Sequence, residues 1–355
     1  MKAVVAVGQN NSYNCLIAKF DEDIELWSID TSFPTINGKL WGVYCLNRSD
    51  FWVCGGTGND GITSPILYHY SYGDWIDYSS YITDAVYLTD IDGISSSNIW
   101  TIGAATGVIT TGAWNWDGSL WTSTKTNTLD FTAWPGDHIH ISVSSDGHAW
   151  TCSSNNIFSN VSSPAWTQKT SLVTDRFHDV CSISDIETYF SSRSSGNSLI
   201  LFDGSSASYY KQPTPVSGES WHIDALSSEE IVFVNSDTVG EVYTVSSGVA
   251  TLIGNAGTVP IAEETIRISY IDTNDIWICG TKYTGTWSST PILTHYEGGT
   301  SWSTTTDYNV DSLNGLLWAD VCYAPPPPPY LISEPVSPNP GYYVDSPMIW
   351  KLGQD

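Results

Sequence analysis

One motif recurs along this chain and limits the folds that the chain can adopt. Residues 50–55 (DFWVCG) reappear as residues 275–280 (DIWICG), and each copy is followed by a polar loop. The loops lead into near-identical segments, PILYHY at residues 65–70 and PILTHY at residues 291–296. Both copies therefore share one plan of successive strands, and a repeat architecture has to be considered before any other.

Weaker copies of this unit fill the interval between the two. Their central strands are spaced by 39 to 50 residues, at Trp52, Trp100, Trp150, Tyr189, Val232 and Trp277. This spacing is typical of a four-stranded propeller blade. Another extended run precedes each central strand, so we predict six complete four-stranded units. The 17 Trp, 20 Tyr and 29 Gly, beside only 2 Met, also favour a β protein.

The two ends of the chain complement each other. Residues 4–8, 15–21 and 25–29 predict three strands that lack an inner strand. Residues 316–322 resemble the inner strand of the first full unit, and no partner strands follow them. Pairing the two ends would remove exposed sheet edges. We therefore predict an all-β fold over residues 1–324, a seven-bladed β-propeller closed by pairing the C-terminal strand with the N-terminal blade.

A proline-rich segment follows this domain. Residues 325–329 are five consecutive prolines, which cannot donate hydrogen bonds to a sheet. We expect residues 325–355 to form an extended C-terminal arm with polyproline II conformation. The arm also carries apolar side chains, which favour docking on a partner protein or on another copy, with docking on its own propeller as the alternative. These residues are Tyr330, Leu331, Ile332, Tyr342, Tyr343, Ile349 and Trp350.

The charge balance excludes two classes of partner. The chain has 12 Lys and Arg against 38 Asp and Glu, a net charge of −26. Such a field repels nucleic acids and anionic membrane surfaces, and no apolar run is long enough to span a bilayer. We predict no nucleic-acid partner and no membrane insertion.

The seven cysteines lie in apolar, strand-like runs. Their odd number and their placement favour free buried thiols over a disulfide framework. No Cys or His spacing typical of a metal site occurs, so the sequence predicts neither a metal nor another cofactor.

The unit DIWICG, loop, PILTHYEGGTSW resembles the Trp-rich propeller repeat of bacterial and phage surface proteins. The resemblance covers nearly everything up to Tyr323 and implies the propeller fold, but little about activity, because propellers support many functions. The apolar N-terminal run lacks a signal-peptide cleavage pattern. With the resemblance, this implies a virion protein made in a host cytoplasm; an extracellular or cell-surface location is the alternative.

Polar residues near the starts of the inner strands form the first candidate site. Their side chains could point into the central channel, where His and Asp could bind a small ligand or a metal. The alternative is an ordinary polar channel lining. The candidates are Asp90, His140, His222, Arg267 and Asp320, with either His178 or Asp179 at the same level.

The loops between the second and third strands form the second candidate site. They share one face of the disc, and in three neighbouring blades they combine aromatic and polar residues that suit glycans or protein surfaces. Ordinary loop variation is the alternative. The candidates are Tyr13, Asn59, Asp60, Tyr283 and Trp287.

The sequence contains no set of convergent catalytic groups, so we predict that the protein is not an enzyme. The favoured interpretation is a structural or adhesive component of a larger assembly, a phage virion protein that displays the propeller. It would contact other proteins of the assembly through its arm, and its further partners would be cell-surface glycans. A soluble lectin-like propeller and a propeller glycosidase or lyase are the alternatives.

Overall fold

The computed structural model describes residues 3–10, 12–21, 25–105, 110–124, 139–153, 156–161, 166–169, 177–192, 199–210, 220–235, 241–254, 267–283, 289–299, 302–304 and 317–324. These residues form 28 strands and one short 3₁₀ helix, Ser79–Tyr81. The strands make seven sheets of four strands each, which confirms the predicted seven-bladed propeller.

We number the blades in chain order and give the strands of each blade from the axis outward. Blade 1 contains β28 (Leu317–Ala324), β1 (Ala3–Gln9), β2 (Cys15–Asp21) and β3 (Leu26–Ile29). Blade 2 contains β4 (Gly38–Asn47), β5 (Asp50–Thr57), β6 (Pro65–Ser71) and β7 (Asp74–Asp77). Blade 3 contains β8 (Ala85–Ser95), β9 (Asn98–Ala105), β10 (Thr110–Trp116) and β11 (Trp121–Ser123).

The remaining blades follow the same plan. Blade 4 contains β12 (Ile141–Val143), β13 (Ala149–Ser153), β14 (Asn156–Ser159) and β15 (Thr167–Lys169). Blade 5 contains β16 (Phe177–Ser184), β17 (Glu187–Ser192), β18 (Leu199–Phe202) and β19 (Ala207–Tyr209). Blade 6 contains β20 (Ser220–Ser227), β21 (Glu230–Asn235), β22 (Glu241–Ser246) and β23 (Val249–Gly254). Blade 7 contains β24 (Arg267–Asp272), β25 (Asp275–Tyr283), β26 (Ser289–Tyr296) and β27 (Trp302–Thr304).

The ring is closed by the two ends of the chain. Strand β28 pairs antiparallel with β1, and Val5 lies opposite Cys322 while Val7 lies opposite Asp320. Each inner strand also contacts the inner strands of both neighbouring blades, so that β28, β4, β8, β12, β16, β20 and β24 surround the axis. The predicted closure is therefore confirmed.

The core lies between the blades. One hydrophobic cluster occupies each of the seven boundaries between neighbouring blades. At the boundary between blades 7 and 1, for example, Trp277 packs against Phe20 with ring centroids 4.9 Å apart. The largest fully buried side chains include Trp52, Trp114 and Trp150. The tryptophans of the repeat therefore hold the blades together, since a buried aromatic side chain removes roughly 150 to 250 Å² from water.

The glycine of the repeated motif permits a bulge in the neighbouring inner strand. A Cβ atom on Gly103 would lie 2.1 Å from the carbonyl oxygen of Tyr87, and one on Gly55 would lie equally close to that of Lys39. Beside Gly103 the pairing register between the inner strand and the second strand of blade 3 shifts, between Leu88 and Asp90. A bulge changes the direction in which the following side chains point. The motif glycine therefore helps to set which residues of the inner strand face the axis.

Blade orientation defines two faces of the disc. Strand β4 begins at Gly38, opposite Thr57, where β5 ends. The start of an inner strand and the loop between the second and third strands therefore lie at the same edge of a blade. We call the surface formed by these edges the loop face.

The cysteines agree with the prediction from sequence. All seven are free thiols, and six of them are buried. In the described part of the chain, no helix has the length and hydropathy that crossing a membrane would require.

Candidate functional site

The inner strands place polar residues at one level of the axis. In blades 1 to 7 this level, which we call the upper ring, consists of Asp320, Gly42, Asp90, His140, Asp179, His222 and Arg267. The five predicted channel residues are all among them, so the structure brings the predicted set together. Both residues that the sequence offered for blade 5 are found here too, because His178 precedes Asp179 and contacts the rings of His140 and His222.

The three aspartates of the upper ring join neighbouring blades. Asp90 accepts hydrogen bonds from the backbone N–H of Ile91 at 2.9 Å and from that of Ile141, in the next blade, at 3.0 Å. Asp320 does the same with Val321 and Val43, each at 2.8 Å. Asp179 likewise accepts from Val180 at 2.9 Å and Ile223 at 3.2 Å. Each carboxylate therefore satisfies two buried N–H groups and connects blades 1 and 2, 3 and 4, or 5 and 6.

Arg267 occupies the centre of this ring. Its guanidinium nitrogens lie 3.4 Å from Asp90, 3.5 Å from Asp179 and 3.8 Å from Asp320. The guanidinium side chain is only 11% exposed. One cation from blade 7 therefore faces carboxylates from blades 1, 3 and 5, and side chains rather than an open channel fill the axis at this level.

Burial and the central guanidinium together set the protonation of the ring. Burial raises the pKa of Asp90 to about 6 and that of Asp320 to about 7, although Arg267 opposes both shifts. For Asp179 the burial effect is outweighed by His140, by the hydrogen bond from His222 and by Arg267, which hold its pKa well below the usual range. Burial also lowers the pKa of His140 and His222 below the ordinary value of an imidazole.

Three histidines meet beside the arginine. The ring centroids of His140 and His222 are 5.6 Å apart, those of His178 and His222 are 5.2 Å apart, and those of His140 and His178 are 5.9 Å apart. One nitrogen from each ring lies within 4.8 Å of the other two. The Nδ1 atom of His222 is 3.1 Å from Asp179. His140 is 2% exposed, and neither of its ring nitrogens makes a hydrogen bond to any residue that the structure describes.

A second set of side chains lies two residues further along each inner strand. This lower ring also links blades: Asp92 accepts a hydrogen bond from the N–H of Val143 at 2.7 Å, and Asp224 accepts one from Tyr270 at 2.8 Å. Burial raises the pKa of Asp92 to about 7 and that of Asp224 to about 6. Sequence analysis did not single out these carboxylates, although the alternation of side chains along a strand places residues 90 and 92 on the same side.

Loops of blades 1 and 2 are joined on the loop face. The side-chain amide of Gln9 donates hydrogen bonds to the carbonyl groups of Gly38 at 3.1 Å and Asn59 at 3.0 Å. Asn37 donates to the Asn59 side chain at 3.2 Å. The N–H of Gly38 donates to the Tyr13 carbonyl at 2.8 Å. Three predicted residues, Tyr13, Asn59 and Asp60, therefore lie on one connected surface, and all three side chains are exposed.

The other predicted surface residues cannot be placed in the same way. Tyr283 ends strand β25 and pairs with Ser289 through its backbone, but its side chain is not among those that the structure describes. Trp287 and the whole arm, including Tyr330, Leu331, Ile332, Tyr342, Tyr343, Ile349 and Trp350, also lie outside the described residues.

The two histidines of the repeat have a structural role. His69 lies flat against Trp52, with ring centroids 4.2 Å apart and planes 7° apart, and its Nε2 is 2.6 Å from Asp50. In blade 7, His295 stacks on Trp277 at 4.0 Å, with Asp275 2.8 Å from its Nε2. In blades 2 and 7 the Asp, Trp and His of the motif therefore form one contact.

Comparisons with known proteins identify the fold of this chain but do not assign it to a family. No protein-family model matches this sequence, and no curated protein matches it either. Among solved structures, a periplasmic gluconolactonase from Pseudomonas aeruginosa is similar with a TM-score of 0.59 and 12% identity, over 92% of this chain and 100% of that chain. YCF48 bound to D1 peptide gives a TM-score of 0.56 at 9% identity, over 83% of this chain and 92% of that chain.

A third similar structure is a GH74 xyloglucanase from Xanthomonas campestris, with a TM-score of 0.54 and 10% identity, over 75% of this chain and 45% of that chain. Identities this low show the fold alone. Two of the three similar propellers are nevertheless enzymes. The prediction that this protein is not an enzyme, which was drawn from the absence of convergent catalytic groups in the sequence, is therefore wrong, and the catalytic status of the protein is unresolved.

Proposed function

We propose that this protein is an adhesion component that binds a saccharide on its loop face, at blades 1 and 2. The observation that carries the proposal is that the exposed Tyr13 lies on a loop of blade 1 that hydrogen bonds connect, across the blade boundary, to the loop carrying the exposed Asn59 and Asp60. Tyr13 is 51% exposed. An aromatic ring offers an apolar face to a sugar, and amide and carboxylate groups match its hydroxyl groups.

Local hydrogen bonds and packing in these loops support the proposal. Asn10 caps its own turn, because its side-chain oxygen accepts hydrogen bonds from the N–H groups of Ser12 at 2.9 Å and Asn14 at 3.0 Å. In the neighbouring loop, Gly61 has a φ of +75° and lies against Trp41, where a side chain would clash with the indole. Loops that are ordered before binding lose little conformational entropy when a ligand arrives.

The side chains exposed on this surface favour a saccharide over a protein. Stable protein interfaces bury about 800 Å² on each partner and are anchored by clusters of large apolar or arginine side chains. The described loop surface of blades 1 and 2 offers one exposed aromatic ring among amides and a carboxylate. A protein partner bound on this face is an outcome that the following experiment separates from a saccharide.

A glycan array probed with the full-length protein tests the proposal. We expect binding to a defined glycan, and we expect Tyr13→Ala to weaken it about tenfold, the effect of losing roughly 1.4 kcal/mol of stacking. Tyr72→Ala is the matched control. Tyr72 is 63% exposed and has a φ of 49°, close to the φ of 60° at Tyr13, but it lies in the turn after β6, on the opposite face.

Two results would contradict the proposal. The first is that no glycan binds, and the second is that both substitutions reduce binding equally. The location in a virion rests on the repeat resemblance, and the contact of residues 325–355 with other proteins of an assembly rests on the apolar side chains of that arm. Both stay predictions.

A further inference from the structure

We propose that His140, His178 and His222 form a binding site for a divalent transition metal, zinc in the first instance, next to the central arginine. The site is distinct from the loop surface of blades 1 and 2, and the inference does not depend on saccharide binding. The three residues come from inner strands β16 and β20 and from the residue that precedes β12. Consecutive blades thus each contribute one imidazole to the same point near the axis.

The unpartnered state of His140 is the first observation behind this proposal. A buried imidazole without hydrogen bonds is costly, because a buried polar group that loses its partners pays the cost of its removal from water without compensation. His140 is 2% exposed, and its two ring nitrogens hydrogen-bond to no described residue. Its Nδ1 atom has only longer contacts, 3.4 Å to Asp90 and 3.8 Å to Asp179. A metal ion would supply the missing partner.

The geometry of the trio is the second observation. The three candidate donor nitrogens lie within 4.8 Å of one another. Around a tetrahedral zinc ion with Zn–N distances of about 2.1 Å, ligand nitrogens are about 3.4 Å apart. The rings would therefore have to approach one another by about an ångström. The side chain of His178 is half-buried whereas the other two rings are buried, so we expect most of this adjustment at His178.

The environment of His222 is the third observation. Metal-binding histidines usually donate their second ring N–H to a carboxylate, which fixes the tautomer and the orientation of the ring. His222 has this arrangement, with Nδ1 3.1 Å from Asp179. The same carboxylate is held by the N–H groups of Val180 and Ile223. Asp179 can therefore act as a rigid outer partner that leaves the Nε2 lone pair of His222 for a metal.

The upper ring contains more acidic side chains than permanently charged basic ones. Among the described side chains of the upper ring there are three carboxylates and one guanidinium. Neutral imidazole ligands suit zinc, copper, nickel and iron, whereas calcium and magnesium prefer oxygen ligands. Three histidines with one further position for water or a carboxylate are a ligand set that zinc adopts in proteins.

Equilibrium dialysis of the full-length protein against Zn²⁺, after removal of metals with a chelator, tests the site. We expect one Zn²⁺ per chain in the native protein and at least a tenfold weaker affinity in His178→Ala, since loss of even an outer partner commonly costs ten- to a hundredfold. His148→Ala is the matched control. His148 is a partly exposed histidine that contacts Asp185 at 2.7 Å, away from the trio. It should leave the affinity unchanged.

A second measurement does not depend on any variant folding. Cu²⁺ binds such sites more tightly than Zn²⁺, and its electron paramagnetic resonance spectrum in the native protein should show splitting from several imidazole nitrogens. The proposal is overturned by absence of stoichiometric Zn²⁺ binding, by equal affinity in the two histidine variants, or by a copper spectrum with oxygen ligands alone.

Discussion

Carboxylates on the inner strands serve as backbone acceptors between blades. Asp92 receives the N–H of Val143 from the next blade, and Ser142 at the equivalent position of blade 4 receives the N–H of Ser182 at 2.9 Å. A hydroxyl therefore does in one blade what a carboxylate does in another. The carboxylate differs from the hydroxyl in that it can carry a charge, which burial disfavours. Burial therefore raises the pKa of Asp92 to about 7, and repulsion by Asp90 adds to the shift.

The raised pKa of Asp92 makes stability depend on pH. The folded state holds the proton to about pH 7, whereas the unfolded chain releases it near the ordinary value of about 3.9. Stability is therefore lost as pH rises from about 4 to 7. We expect Asp92→Ser, which removes the charge and keeps an acceptor, to reduce the loss of unfolding free energy between pH 5 and pH 8 by about 2 kcal/mol. Urea unfolding at the two pH values measures it.

Asp74→Ser is the control for this experiment, because Asp74 is exposed at the start of β7. It should leave the pH dependence as in the native protein. If Asp92→Ser also retains the full pH dependence, another buried carboxylate is responsible.

For single residues, the sequence predicted which side chains lie near the axis better than it predicted which of them contact one another. Asp90, His140, His222, Arg267 and Asp320 could be identified because each lies near the start of a predicted inner strand. Their mutual arrangement could not, because it depends on the stagger between neighbouring blades. The sequence named all three histidines as channel candidates but did not predict that they meet, since they are 38 and 44 residues apart in sequence and fit no local metal motif.

Single strands show why the motif glycine is needed. In blade 3 the inner strand β8 has three register shifts against β9, and one of them lies beside Gly103. The shift allows the backbone of Tyr87 to approach Gly103 so closely that a Cβ atom on Gly103 would have no space. Because the register fixes which side chains face the axis, the bulge and the upper ring depend on each other.

We expect Gly103→Ala to lower the free energy of unfolding by about 3 kcal/mol, since the added methyl group would lie 2.1 Å from a backbone oxygen and the strand pair would have to move. Gly73→Ala provides the comparison. Gly73 has a φ of +109°, and a Cβ atom added there would have no neighbour within 4 Å, so only backbone strain of about 1 kcal/mol is expected. Equal losses in the two variants would rule out the steric explanation.

The strands were predictable because apolar alternation and the spaced aromatic residues mark them even where the motif weakens. Strand β17, for example, was placed from Tyr189 and Phe190 although it lacks tryptophan. The bulges were not predicted, because the recurring motif glycine marks a close approach of the neighbouring strand but does not show how the pairing register shifts. The same holds for the contact between the loops of blades 1 and 2, which Gln9 and Asn59 make across 50 residues.

The whole disc depends on its closing strand. Strand β28 supplies the inner strand of blade 1, and Asp320 and Cys322 accept hydrogen bonds from Val43 and Cys45 in blade 2. Without β28, blade 1 would lose its inner strand, and two boundaries between blades would be exposed to water.

Two truncations separate the closing strand from the arm. We expect a chain ending at Ala324 to unfold in one cooperative urea transition, followed by tryptophan fluorescence, much as the full-length protein does. A chain ending at Gly315 should lose that transition or aggregate, because its sheet edges and apolar faces are unpaired. A cooperative transition of unchanged midpoint in the shorter chain would refute the role given to β28.

The pairing of β1 with β28 also has a mechanical consequence. Strand β1 ends at Gln9 on the loop face. Ala3, at its other end, lies opposite Ala324, so both chain ends are at the edge away from the loop face. Tension between a ligand on the loop face and an anchor beyond Ala324 would run along β28 and load its seven paired positions with β1 in shear, all at the same time. Pulling the two ends of the chain away from each other would instead peel the pairs apart one by one, starting at Ala3. The propeller is therefore built to resist detachment in the first direction far better than in the second.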